Sequence, residues 1–218
     1  MIYMAVNERS DPLNLKKANF YANNEWGIPL IKKQLVSPYA IPDLVPFKIS
    51  KDYNSFCHFY IEDYEFERVW TTPDKYVDVI RRFKGAISPD FSLYTNWPKA
   101  VNLWQLFRSH WLGAYWQLLG ITVIPNVTWT DEESFDWCFS GIEKGSTVCV
   151  STVGSALNIP HERKGFMLGF NAMLDIVKPE KVMAHGTPNK ALGDNVVWYD
   201  NYFYERFRKL KKDKEIKS

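Results

Sequence analysis

The sequence predicts an α/β fold built on a mainly parallel sheet of five to six strands with alternating helices. Strand-like and helix-like segments alternate at least five times after residue 55. The strand-like segments are short, continuous apolar runs, as expected for strands that are covered on both faces. The intervening segments are long enough to be helical crossovers, which connect parallel strands.

Two architectures fit this alternation: an open doubly wound sheet, or a partial or distorted β/α barrel. A complete eight-unit barrel takes roughly 250 residues, which is more than residues 55–218 supply. With 46% hydrophobic and 16% aromatic residues, the 218-residue chain can bury a substantial core. This composition excludes an intrinsically disordered protein.

The chain divides into three predicted parts. Residues 1–50 carry repeated Pro and Gly but too many apolar residues for a free linker, which predicts an irregular N-terminal arm packed on the main domain. Residues 51–204 form the predicted α/β domain. Residues 205–218 contain seven Lys or Arg against three acids, which predicts a basic helix end or tail.

The first half of the α/β domain contains clear boundary signals. "SFCHFYI" (55–61) is rich in β-branched and aromatic residues and predicts a strand. Thr72-Pro73-Asp74 predicts a helix start, with a cap residue, Pro at the first helical position and an acid in the first turn. "GAIS" (85–88) predicts a second strand. Asn96 predicts the start of the longest helix, which Gly120 ends.

The second half continues the same alternation. Thr130-Asp131-Glu132-Glu133 is a capping box, which predicts that a helix begins there. A second helix is predicted over residues 161–177, and a terminal helix over residues 200–213. The predicted strands of this half are "ITVIP" (121–125), "STVCVSTVG" (146–154), "KVMAHG" (181–186) and "NVVWY" (195–199).

Two predicted strands end in the same polar way. Pro89-Asp90-Phe91-Ser92 follows one strand, and Pro125-Asn126-Val127-Thr128 follows the next along the chain. Because Pro lacks the N–H group that a ladder needs, each Pro marks where pairing stops. Ligands of α/β folds bind at the carboxyl ends of parallel strands. The sequence therefore predicts a site at this rim, unless these residues only cap helices and form turns.

The predicted site has two candidate catalytic residues and eight candidate ligand-binding residues. Asp90 would be the acid, the base or a hydroxyl-orienting group, with His185 as its proton-transfer partner. Arg108 would anchor an anion, or would only snorkel and make cation–π contacts with neighbouring Trp residues. The ligand-binding candidates are Ser92, Arg108, Asn126, Thr128, Trp129, Ser151, Thr152 and Thr187.

Several reaction classes lack their sequence signatures. The chain has no phosphate-binding loop, dinucleotide fingerprint, zinc-protease motif or nucleophile elbow. Adjacent strand side chains point to opposite faces, so Cys57 and His58 are not a catalytic pair. Asp63, Asp90 and His185 would hold a divalent metal only if they share the rim, and we predict no metal site. The sequence indicates no particular cofactor and does not decide whether the protein is an enzyme.

Three functions stay open. The first is an enzyme or binding protein for a small polar or phosphorylated molecule, such as a nucleotide. The second is a non-catalytic module for counter-defence or host takeover, which would contact a host or phage protein through exposed aromatic side chains. The third is a nucleic-acid accessory factor that uses the basic tail over residues 205–218. The formal charge is +2, and no secretory signal or stretch of ~18 apolar residues is present, which predicts a cytoplasmic protein without membrane contact.

Four stretches carry a resemblance to a known family: "CHFYIEDYEFERVWTTPDKY", "ISPDFSLY", "RSHWLGAYWQLLGITVIPNVTW" and "CVSTVGSA". Over residues 20–190 the chain resembles an uncharacterised domain-of-unknown-function family found in bacteria, phages and mobile elements. The PDFS and VIPNVxW motifs match best. The resemblance implies a phage or mobile-element setting and a cytoplasmic protein, and it implies no established activity.

Overall fold

The computed structural model of the chain describes residues 11–20, 22, 24–34 and 36–201. Within these residues there are seven strands and five α-helices. The strands are β1 (Leu44–Pro46), β2 (Phe56–His58), β3 (Gly85–Ile87), β4 (Val123–Ile124), β5 (Thr147–Ser151), β6 (Lys181–His185) and β7 (Val196–Tyr199). The helices are α1 (Asp63–Thr71), α2 (Pro73–Ile80), α3 (Lys99–Leu118), α4 (Phe135–Cys138) and α5 (Pro160–Val177).

The strands form two parallel sheets. One has the order β1-β2-β3-β4 and the other the order β5-β6-β7. A parallel bridge between Asn126 and Cys149 joins the sheets just beyond β4. There the Val127 N–H donates to the Cys149 carbonyl (2.8 Å), and the Cys149 N–H donates to the Pro125 carbonyl (2.9 Å).

The predicted α/β class with parallel strands and alternating helices is confirmed. The predicted single sheet of five to six strands is corrected to two sheets, with seven strands in total among the described residues. The additional strand is β1, which lies within the segment predicted to be irregular. Its sequence context, "IPDLVPF", contains two prolines that disfavour a central strand. Because β1 is at the edge of its sheet, it tolerates Pro46.

The core has three parts. Helices α1, α2 and α3 cover the first sheet, and α4 and α5 cover the second, each through a cluster of buried apolar side chains. A third buried cluster contains one side chain from each of the seven strands. Its strand members are Leu44, Phe56, Ile87, Ile124, Cys149, Met183 and Tyr199.

Helix boundaries follow the local sequence in most cases. Thr72 precedes α2, and Pro73 takes its first helical position, as predicted. The longest helix, α3, begins three residues after Asn96 because Pro98 takes the cap position. Gly120, with φ of 80°, ends this helix. The predicted basic tail and nearly all of the predicted terminal helix lie outside the described residues.

No helix in the described part of the chain has both the length and the apolar content needed to cross a bilayer.

Candidate functional site

A hydrogen-bonded chain of three side chains lies at the carboxyl ends of β2, β3 and β4. The Tyr60 hydroxyl donates to Asn126 Oδ1 (3.0 Å), and Asn126 Nδ2 donates to Asp90 Oδ1 (2.7 Å). The backbone N–H of Asn126 donates to Ser88 Oγ (2.8 Å). Together with the bridge to Cys149, these bonds fix the position and the amide orientation of Asn126. Asp90 and Asn126 therefore meet as their places after β3 and β4 predict.

Asp90 changes its charge near neutral pH. Burial raises the pKa of the Asp90 carboxyl to about 7; the hydrogen bond from Asn126 opposes this shift, and the nearby Asp63 carboxylate adds to it. Burial also raises the pKa of Tyr60 well above its usual value, so that its hydroxyl stays protonated and donates. Asp90 can therefore be protonated or ionised near neutral pH, while Tyr60 continues to donate to Asn126 and Asn126 to Asp90.

Asp90 and Asn126 line a cavity of about 150 Å³. Two aromatic side chains, Trp129 and Phe166, form part of its wall, with their ring centroids 5.0 Å apart. This cavity, called the Asp90 cavity below, contains five of the ten predicted site residues. Its lining is Asp90, Asn126, Val127, Thr128, Trp129, Ser151, Val153, Ser155 and Phe166.

A second cavity of about 410 Å³ lies beside the first and shares Val153 with it. The loops after β5 and β6 form this cavity, called the loop cavity below. Two predicted ligand-binding residues, Thr152 and Thr187, belong to it. Its lining is Thr152, Val153, Gly154, Ala156, Leu157, Asn158, Gly186, Thr187, Pro188 and Asn189.

His185 lies in the interior and lines neither cavity. The residue is 1% exposed, and its ring packs on the rings of Tyr60 and His58, with centroids 4.8 and 4.5 Å away. Burial lowers the pKa of His185 to about 4, so that its imidazole is neutral. Neither of its ring nitrogens has a hydrogen-bond partner among the described residues. The His185 ring is thus in contact with Tyr60, whose hydroxyl donates to Asn126 in the wall of the Asp90 cavity.

Ser92 and Arg108 have partners away from the cavities. The Ser92 hydroxyl donates to Asp63 Oδ1 (3.0 Å). Arg108 donates to both carboxylate oxygens of Glu67 (2.6 and 2.8 Å), and its guanidinium lies 3.9 Å from the centroid of the Phe91 ring. Neither residue lines the Asp90 cavity or the loop cavity.

The sequence did not single out Tyr60, Val153, Ser155 or Phe166. The sequence did contain a pattern from which the position of Tyr60 could be predicted. Phe56, His58 and Tyr60 alternate along one predicted strand, so all three lie on the same face of the sheet. Within the described residues, no group of three or more His, Cys, Asp or Glu side chains is arranged to hold a metal ion.

His185→Leu is expected to raise the free energy of unfolding at pH 7, or to lower it by less than about 1 kcal/mol. The substitution removes two buried polar atoms without a partner, and replacing such atoms by apolar groups costs little. Urea denaturation measures the difference from the unsubstituted protein.

His110→Leu is the matched control. His110 is also fully buried, but its Nδ1 donates to the carbonyls of Pro29 (3.1 Å) and Gly141 (3.2 Å). Its loss is expected to cost about 2 kcal/mol, because it leaves two buried carbonyls without this donor. Equal losses for both variants would mean that the His185 nitrogens do have partners.

Comparisons with known proteins identify the family. The model of the domain of unknown function DUF4417 matches residues 20–202. The chain is 38% identical to the Gene 1 protein of Mycobacterium phage L5 over 166 residues, which cover 69% of this chain and 72% of that protein. It is 35% identical to the Gene 1 protein of Mycobacterium phage D29, again over 166 residues, which cover 69% of this chain and 61% of that protein.

No solved structure matches the chain. The predicted membership of an uncharacterised family with phage members is confirmed by the family model and by both phage relatives. This chain belongs to the DUF4417 family of domains of unknown function.

Proposed function

We propose that the protein binds a small, uncharged polar molecule in the Asp90 cavity and that Asp90 is the acid–base group of this site. One observation carries the proposal: a half-buried carboxyl, oriented by Asn126, faces a ring-sized cavity at the ends of the strands. A carboxyl group that lines a cavity and has a strongly raised pKa is typical of a functional site.

The charge of the lining favours an uncharged ligand over a phosphorylated one. Among the described residues that line the two cavities, Asp90 is ionisable and none is Lys or Arg. A phosphoryl group would therefore meet a carboxylate without a cation to offset it. Hydroxyl groups from Thr128 and Ser155, with the apolar faces of Trp129 and Phe166, suit a polar ring.

The arrangement supports acid–base chemistry on such a ligand. A carboxyl whose pKa is about 7 donates a proton when neutral and accepts one when ionised, both near physiological pH. Asn126 keeps the carboxyl in one orientation, and the Tyr60 hydroxyl keeps the Asn126 amide in one orientation. We further infer that the seven strands surround their shared interior cluster as an incomplete barrel, which would bring their ends to one rim.

Asp90→Ala is expected to weaken the binding of uncharged single-ring molecules by about tenfold or more, because it removes the carboxyl group that lines the cavity. The measurement is a titration of the ¹⁵N-labelled full chain with uracil and, separately, with D-glucose, followed by amide chemical shifts. Inorganic phosphate serves as the anionic comparison and is expected not to bind in this cavity.

Asp175→Ala is the control for this experiment, because Asp175 is an exposed aspartate on α5 that lines neither cavity. It is expected to leave the titrations unchanged. If neither ring perturbs the amides of residues 126–129, or if Asp90→Ala and Asp175→Ala behave alike, the proposal is wrong for these classes of ligand.

The alternative of a non-catalytic interaction module has a different structural basis. An apolar groove of about 270 Å³ lies at the start of α3, and two of its side chains, Leu13 and Leu15, are more than 40% exposed. A protein that acts only through such a surface would keep its function in the Asp90→Ala variant. Such a result would therefore favour this alternative.

The nucleic-acid hypothesis stays a prediction, since the basic tail lies outside the described residues.

A cytoplasmic location is a further proposal. It is supported by the three cysteines, Cys57, Cys138 and Cys149, which are buried and free, as in a reducing compartment.

A further inference from the structure

The loop after β5 forms a shared wall between the Asp90 cavity and the loop cavity. Ser151 and Ser155 line the Asp90 cavity, and Thr152 and Gly154 line the loop cavity. Val153 lines both. This residue is 47% exposed, so that no other part of the described chain covers it completely. The two cavities thus lie on opposite sides of this loop, and Val153 is the lining residue that they share among the described residues.

Hydrogen bonds hold the two loops that form the loop cavity in place. The backbone N–H and the hydroxyl of Thr152 donate to the carbonyl of His185 (2.9 and 3.3 Å), which ties the loop after β5 to the end of β6. The N–H of Gly186 donates to the carbonyl of Tyr199 (2.8 Å). Gly186 has φ of 126°, and a side chain there would overlap Thr152 Oγ1. The close approach of the two loops therefore requires glycine at this position.

The sizes and the lining residues of the two cavities limit which ligand could occupy both of them. A cavity of about 150 Å³ accommodates a ring of the size of benzene, whereas the loop cavity, at about 410 Å³, is larger. The loop cavity has hydroxyl and amide groups from Thr187, Asn158 and Asn189, an apolar part from Leu157, and no charged side chain among its described residues. Both cavities therefore suit uncharged polar groups.

We propose that the two cavities are compartments of one site, which takes an uncharged molecule made of a polar ring linked to a second polar unit, and that Val153 determines whether the second unit can be accommodated. The inference rests on the proposed function of the Asp90 cavity. A nucleoside and a disaccharide share this chemistry, with a ring that carries amide or hydroxyl groups and a second uncharged unit.

The test compares matched pairs of molecules on the full chain by the same amide titrations: uracil with uridine, and D-glucose with maltose. In at least one pair, the two-unit molecule is expected to bind about tenfold tighter than its single ring. It is also expected to shift the amides of Thr187 and Asn189 in addition to those near Asp90.

Val153→Phe is expected to remove this advantage, because the larger side chain closes the junction between the cavities. Within this variant, the affinity for the two-unit molecule should fall to within about twofold of the affinity for the single ring. Val101→Phe is the matched control, since Val101 is also exposed (41%) and lines neither cavity. Unchanged melting temperatures would show that both variants are folded.

Failure of the inference differs from failure of the proposed function. If single rings bind in an Asp90-dependent way but the second unit adds no affinity in either pair, the compartments are independent and the inference is wrong. It is equally wrong if the advantage persists in Val153→Phe. If no ring perturbs the Asp90 cavity at all, the proposed function fails, and this inference fails with it.

Discussion

Asp90→Asn is expected to raise the free energy of unfolding by about 4 kcal/mol more at pH 8 than at pH 4. Burial raises the pKa of this carboxyl from 3.8 to about 7. At a pH between 3.8 and about 7, the Asp90 carboxyl keeps its proton in the folded protein but has lost it in the unfolded chain. Stability from this group is therefore present at pH 4 and is lost as the pH rises to about 7.

The Asn side chain has the shape of the protonated carboxyl and carries no charge at any pH. The variant therefore avoids the cost of an ionised, partly buried carboxylate at pH 8, and it can still accept the hydrogen bond from Asn126. At pH 4 both proteins have a neutral group at this position, and their stabilities should be similar. Urea denaturation at pH 4, 6 and 8 gives the difference at each pH.

Asp175→Asn controls for the loss of a negative charge at an exposed position on α5. Its effect is expected to stay within about 0.5 kcal/mol over the same range, as is usual for surface substitutions. A stability difference for Asp90→Asn that does not change with pH would contradict the prediction. Higher stability at pH 8 in Asp90→Asn, together with weaker binding in Asp90→Ala, is typical of a residue retained for function.

The location of the Asp90 cavity was predictable from the sequence because two physical rules apply locally. Proline stops ladder pairing, so Pro89 and Pro125 mark the strand ends. Parallel strands bring such ends together, and Asp90 and Asn126 are hydrogen-bonded as a result. The same reasoning accounts for the place of Thr128 and Ser151 in the lining of this cavity.

The roles of other residues depend on packing that no local pattern contains. Arg108 has an acidic partner, Glu67, on helix α1, and the sequence did not predict α1 as a helix. His185 ends a strand, as predicted, but its side chain turns into the interior, where Tyr60 and His58 cover it. The alternation of a strand tells on which face of the sheet a side chain lies. Whether that side chain reaches a cavity depends on the side chains of neighbouring strands that pack over it.

Gly169→Ala is expected to lower the free energy of unfolding by about 3 kcal/mol or more, because α5 and Trp129 are in direct contact at this glycine. A methyl group at Gly169 would overlap the Trp129 indole ring at Nε1, Cδ1 and Cε2. Trp129 also packs against Phe166, so that it has little room to retreat. Since Trp129 lines the Asp90 cavity, any displacement would change the shape of the site as well.

Gly165→Ala on the same helix is the matched control. Gly165 is exposed, and a methyl group there would meet no atom within 4 Å. Because alanine favours the helix over glycine, this variant is expected to gain about 0.5–1 kcal/mol. Thermal or urea denaturation of both variants separates the contact with Trp129 from the general effect of alanine in a helix.

The two variants also test how firmly the aromatic wall of the site is held. If Gly169→Ala folds with reduced stability, the titration with uracil or D-glucose should show weaker binding than in Gly165→Ala, because Trp129 has moved in the cavity wall. If Gly169→Ala is instead as stable as Gly165→Ala and binds equally well, then α5 and Trp129 can separate at little cost. The wall of the Asp90 cavity would then not depend on close contact between the helix and this ring.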